Sequence, residues 1–144
     1  MQISVPKKGL HIENSGGKNK PFNLVHLPGI SHLTTTTKVK KTDVKKLLKQ
    51  YKLLNKPAAG IITYTIRKKY ILIRPLVWVR LTKTIYDETA CASGSLAVVV
   101  ALLKEIKADI FYIRQPSGFT LTVTQNKKYL FLSGPIIDMK KMNI

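Results

Sequence analysis

A chain of 144 residues is enough for one domain, and its 44% apolar content supports an ordinary packed core. The single cysteine, Cys91, excludes an internal disulfide framework and a cysteine-rich zinc site. The net charge of +18, from 25 Lys and Arg against 7 Asp and Glu, leaves three readings open: a solvated lysine surface, a polyanion such as nucleic acid, or an acidic partner chain.

Lysines greatly outnumber arginines, which are the better bidentate readers of phosphate and guanine. There is no zinc-finger spacing, no RNA-recognition aromatic motif and no clear helix-turn-helix, so a nucleic-acid role is not favoured. The longest apolar stretch, Leu96–Leu103, is far short of the roughly 20 residues a bilayer needs. The opening residues Met1-Gln2-Ile3-Ser4-Val5-Pro6 lack the apolar core of a signal peptide. Together with one unpaired cysteine, this gives the expectation of a reduced, cytoplasmic setting without a membrane partner.

In chain order, Met1–Val5 alternates and reads as a short strand. Lys7–Pro21 reads as weak strand plus loop, and Phe22–Leu27 as a strand ended by Pro28-Gly29. The threonine run 34–37 is extended or loop. Thr42 is the expected N-cap of a helix, with Val44, Leu47, Leu48, Tyr51 and Leu54 on one apolar face and lysines on the others. Asn55 and Pro57 stop it. Gly60–Ile66 and Tyr70–Arg80 predict a hairpin, and Pro75 asks for an edge position or a bulge in its second strand. A second helix is expected over Ser95–Ile106, apolar nearly all round and therefore buried. Strands over Asp109–Gln115, Phe119–Thr124 and Lys128–Leu132 complete the pattern. The class is α+β: a single domain over 1–144, with a curved, mostly antiparallel or mixed sheet around a buried central helix and a second surface helix.

The chemistry gathers at Glu88-Thr89-Ala90-Cys91-Ala92-Ser93-Gly94-Ser95, where the lone thiol meets a helix start. Free amides and the positive dipole end at such a place lower a thiol's pKa and attract carboxylates. The bland alternative for Cys91 is a buried core cysteine. For Glu88 it is a carboxylate facing the helix dipole.

This turn, followed by a buried helix, then Gln115-Pro116-Ser117-Gly118-Phe119-Thr120-Leu121 and finally Leu132-Ser133-Gly134-Pro135, resembles the cofactor-independent amino-acid racemases of the diaminopimelate epimerase fold. Within them it is most similar to the histidine racemases of staphylopine-type metallophore synthesis. The resemblance implies a diaminopimelate epimerase-like lobe, read here as the C-terminal one, working without cofactor or metal on a small amino acid. Histidine is the first substrate expected and diaminopimelate the second. It implies Cys91 as one acid/base of a two-thiol pair, and the amides of Ala92, Ser93 and Gly94 as a carboxylate site. Glu88 would hold the turn or meet the substrate ammonium. Leu27–His32 echoes a family loop that would bring His32 to the pocket border.

There are departures. Ala92 stands where the family has glycine, Ser117 replaces a second glycine, and the loop asparagine is missing. The family has two similar lobes, each giving one cysteine, and this chain has one. The second thiol is expected from a separate N-terminal-lobe chain or from a homodimer. The alternatives are an inactive truncated lobe and a basic binding module for nucleic acid or an acidic protein.

Overall fold

A helix without a polar face must be enclosed, and the sheet does this. The computed structural model describes residues 2–13 and 21–134. Its strands are β1 (Gln2–Pro6), β2 (His11–Glu13), β3 (Asn23–Leu27), β4 (Ile30–Thr35), β5 (Ala58–Ile66), β6 (Ile71–Val79), β7 (Thr84–Asp87), β8 (Ile110–Arg114), β9 (Thr120–Gln125) and β10 (Tyr129–Ser133). Its α-helices are α1 (Val44–Gln50) and α2 (Ala92–Leu102). The strands form one sheet in the order β1-β10-β9-β8-β6-β5-β4-β3-β2, with β7 paired to β6. The pairs β4–β5 and β6–β8 are parallel and the others antiparallel. The two strands at opposite ends of this order, β1 and β2, are joined by a single 3-10 turn, Lys7–Gly9, and Leu10. So short a link brings the ends of the sheet together and forces it to curl.

Inside the curl lies α2. Val98, Val99 and Leu102 pack against Val25, Ile62, Ile73, Phe111, Ile113, Val123 and Leu130 from the surrounding strands. Val98–Val100 is a β-branched run with modest helix propensity. Packing therefore holds this helix, at about 1.5–3 kcal/mol for each fully buried Val or Leu. Outside the curl, α1 covers the opposite face of β3 to β6. Val44 and Leu48 pack there with Leu33, Ile61, Leu76 and Trp78. The alternation of β5 serves both cores: Ile62 and Tyr64 face α2, while Ala59 and Ile61 face α1. The Trp78 indole donates to the Leu54 carbonyl at 3.2 Å.

The α+β class, the curled mixed sheet, the central helix and the surface helix follow the sequence expectation. Several boundaries do not. Ile30–Thr35, where the sequence predicts no strand and leaves Thr34 and Thr35 as extended or loop, form β4, joined to β3 by the two-residue turn Pro28-Gly29 with Gly29 at φ +83°. Ser31, His32, Thr34 and Thr35 are all buried there, so polar side chains inside the fold hid the strand. The short strand β7 follows a tight turn with Lys83 at φ 50°. The surface helix starts after a 3-10 turn at Lys41–Asp43, with Asp43 rather than Thr42 at its N-cap. It ends early, at Gln50; beyond it Lys52 takes φ 60°, the Leu53 amide donates to the Leu48 carbonyl at 2.8 Å and Leu53 turns into the outer core. The central helix begins at Ala92, three residues before the expected start. Pro75 lies between the part of β6 paired with β8 (Ile71, Leu72) and the part paired with β7 (Leu76–Val79). Few ladder bonds are asked of its nitrogen there. The expected Gly16-Gly17 loop and Pro135 lie outside the described residues. Among the described residues, no helix is long and apolar enough to cross a membrane.

The two cores give a direct test. Leu48→Ala should lower the urea-unfolding free energy by about 2–5 kcal/mol. Lys46→Ala on the solvent side of the same helix should change it by less than about 0.5 kcal/mol. Equal effects would contradict the outer core.

Candidate active site

The open end of the curled sheet exposes the start of α2, and Cys91 is its N-cap residue (φ −147°, ψ 105°). The thiol is half-buried. Its Sγ accepts a hydrogen bond from the Gly94 amide at 3.2 Å, taking the role a Ser or Asp oxygen plays in ordinary caps. Glycine at 94 leaves room for this: a Cβ there would lie 3.0 Å from Sγ and 2.9 Å from Ile62 Cδ1, so both would have to shift. By helix geometry the amides of Ala92 and Ser93 have no intrahelical acceptor and point out of the helix end. Ala92 is exposed and Ser93 half-buried. Ala92 is the first helical residue, and its φ is not positive. Replacing the family's glycine by alanine therefore introduces no backbone strain.

Behind the turn, the Gln115 side chain is 1% exposed and fully engaged. Its Oε1 accepts from the Cys91 amide at 2.8 Å, and its Nε2 donates to Ser95 Oγ at 2.9 Å and to the Ile113 carbonyl at 3.1 Å. Ser95 Oγ donates in turn to the Cys91 carbonyl at 2.8 Å. The Ser117 amide donates to the Thr89 carbonyl and the Glu88 amide to the Pro75 carbonyl. The cysteine is thus held at both its amide and its carbonyl by groups from the β8–β9 turn and α2.

His32 stands on the other side. It is not on a loop bordering an open pocket, as the sequence suggested, but in the middle of β4 and fully buried. Its ring fits because residue 60 on β5 is glycine, where a Cβ would come within 2.6 Å of Nδ1. Nε2 lies 2.8 Å from Ser93 Oγ, which lies 3.6 Å from Cys91 Sγ. Among the described residues, Nδ1 has no partner within hydrogen-bonding geometry. Burial pushes the imidazole down from 6.5 to about 4. The Gly60 backbone pulls the other way, but it lies outside hydrogen-bonding geometry and burial prevails.

Of the residues singled out in the sequence, the structure joins Cys91, Ser93, Gly94 and His32 by hydrogen bonds and places Ala92 at the rim. Glu88 joins the turn through its backbone, and its carboxylate takes no part in these bonds. Gln115 was visible only as part of a motif, and Gly60 carried no sequence signal at all. Both act across long sequence separations, which composition and periodicity do not report. A groove of about 610 Å³ lies nearby, lined among others by Thr36, Tyr64, Arg74, Asp87 and Pro116, but Cys91 does not line it. The thiol with its free amides carries more specific chemistry than this groove. Among the described residues, no group of three His, Cys, Asp or Glu side chains is placed to hold a metal ion.

The family model described as "Histidine racemase CntK N-terminal domain" matches residues 1–133. The chain belongs to this family. The lobe expected from the sequence therefore needs correcting, because the matching domain is the N-terminal one and not the C-terminal one. No curated protein sequence matches at a significant level.

Three solved structures are similar in fold. A phenazine biosynthesis protein PhzF family member from Enterococcus faecalis is 12% identical with a TM-score of 0.50, covering 89% of this chain and 43% of its own. A hydroxyproline epimerase from Agrobacterium vitis is 11% identical with a TM-score of 0.53, covering 92% and 49%. A probable proline racemase from Agrobacterium radiobacter K84 is 15% identical with a TM-score of 0.54, covering 96% and 54%. The chain spans about half the length of these structures.

Burial of neutral His32 ties stability to pH. Its pKa is lower folded than unfolded, so the unfolded chain binds the proton first as pH falls. The stability this gives is complete above about 6.5 and is lost as pH falls toward about 4. Urea unfolding at pH 7 and 4.5 should show His32→Gln losing less stability on acidification than the native chain, by on the order of 2–3 kcal/mol. Equal losses would contradict a buried neutral imidazole.

Proposed function

We propose that this chain is the N-terminal half of a cofactor-independent histidine racemase, with Cys91 as one acid/base of a two-thiol pair. The observation that supports it most is Cys91 at the N-cap of the enclosed helix, within a chain matched over residues 1–133 by the histidine racemase domain.

The chemistry requires a group on each face of Cα. In one direction the Cys91 thiolate takes the α-proton, forming S–H as the C–H bond breaks, and the electron pair is delocalised into the substrate carboxylate. A thiol on the opposite face then returns a proton to Cα and becomes the thiolate. The reverse direction exchanges the two roles, so no net oxidation or proton change occurs. The amides of Ala92 and Ser93 hold the carboxylate and stabilise the charge that develops on it. These 144 residues hold a single cysteine, so the second thiol comes from outside them, in a lobe that closes over the start of α2. The product, D-histidine, would serve the staphylopine-type metallophore synthesis that the resemblance points to.

Exchange of the Cα proton of L-histidine in D₂O, followed by NMR, tests this. The chain mixed with a C-terminal histidine racemase domain should exchange the proton and form D-histidine. Cys91→Ser in the same mixture should reduce the rate by at least about a hundredfold. Undiminished exchange in Cys91→Ser, or no exchange in the native mixture, would overturn the proposal.

A further inference from the structure

Buried His32 is a puzzle for packing alone. A neutral ring with one nitrogen unpartnered is a costly way to fill a core position that leucine could occupy. Among the described residues, the one side-chain hydrogen bond of the ring goes to Ser93 Oγ, and that oxygen is the neighbour of the sulfur. Resting on the reading of Cys91 as the proton-transfer thiol, we infer that His32 and Ser93 are positioning residues: His32 orients the Ser93 hydroxyl so that it donates a hydrogen bond to the Cys91 thiolate.

The direction of the chain follows from satisfiability. A buried N–H without an acceptor is rarer and more costly than a free ring lone pair. The proposed run has the ring proton on Nε2, where Ser93 Oγ accepts it at 2.8 Å, since among the described residues Nδ1 has no partner within hydrogen-bonding geometry. With Oγ already accepting, its own hydrogen is free for the sulfur at 3.6 Å. The sulfur then receives two donors, the Gly94 amide at 3.2 Å and the Ser93 hydroxyl. Each bond in such a run polarises the next. Because burial disfavours the imidazolium, His32 works as a fixed donor and does not take the thiol proton. The other charged groups about the turn do not enter this run. Arg74 of β6 and Asp87 of β7 pair with each other at 3.2 Å, and Glu88 precedes the turn and is bound through its amide.

The test reads the thiol without substrate or second lobe, so its failure is separable from failure of the racemase reading. The rate of Cys91 alkylation by iodoacetamide is measured from pH 5 to pH 10 on the native chain and its variants. Ser93→Ala should move the alkylation midpoint upward and lower the rate at pH 7 by about three- to tenfold. Ser93→Thr, which keeps the hydroxyl, should restore most of it. His32→Leu in the Ser93→Ala background should add little, because the two act through one hydrogen bond. Ser93 is half-buried and Ala favours helix, so this variant is expected to fold; circular dichroism matching the native chain checks it. In the mixture with the C-terminal domain, Ser93→Ala should lower kcat and leave KM nearly unchanged, since its amide remains. An unchanged alkylation profile in folded Ser93→Ala, or a failure of Ser93→Thr to restore it, would overturn the inference.

Discussion

The constraint on which the structure depends is the enclosure of an apolar helix. Every residue of α2 from Gly94 to Leu102 is buried. Such a helix is stable only inside a sheet that curls around it, and the short β1–β2 link supplies that curl. At its beginning the first amides lack intrahelical partners and the dipole is positive. A thiol placed at the N-cap sits beside these amides. The position of Cys91 thus follows from how the core is built.

The turn around the cysteine is rigid because its polar groups are used up from behind. Gln115 and Ser95 hold the Cys91 backbone, while Gly94 brings an amide within reach of the sulfur. Preorganisation of this kind matters for proton transfer at carbon, where a misplacement of about 1 Å can cost two orders of magnitude in rate. The front of the turn is different: Ala92 is exposed, and the amides of Ala92 and Ser93 have no intrahelical acceptor.

Much of this was legible in the sequence, for local reasons. The buried helix announced itself by lacking a polar face, the β5–β6 hairpin by Arg67-Lys68-Lys69 between β-rich runs, and the cysteine turn by its small residues. What was hidden depends on contacts between distant segments. His32 looked like a loop histidine because Ser31, Thr34 and Thr35 gave β4 a polar appearance, and only the sheet on both sides of it makes it a core residue. Gly60 has meaning only opposite His32, and Gln115 only beneath Cys91. The cysteine turn did not distinguish one lobe from the other; the match of residues 1–133 to an N-terminal domain does.

The most direct measurement of the central claim is protection of Cys91 from alkylation, read as the mass of its peptide. If Cys91 faces an amino acid in a cleft completed by a second lobe, L-histidine should protect it strongly when the C-terminal histidine racemase domain is present. Protection should be weak with the 144-residue chain alone. Equal labelling of Cys91 under all four conditions, with and without histidine and with and without that domain, would contradict the account.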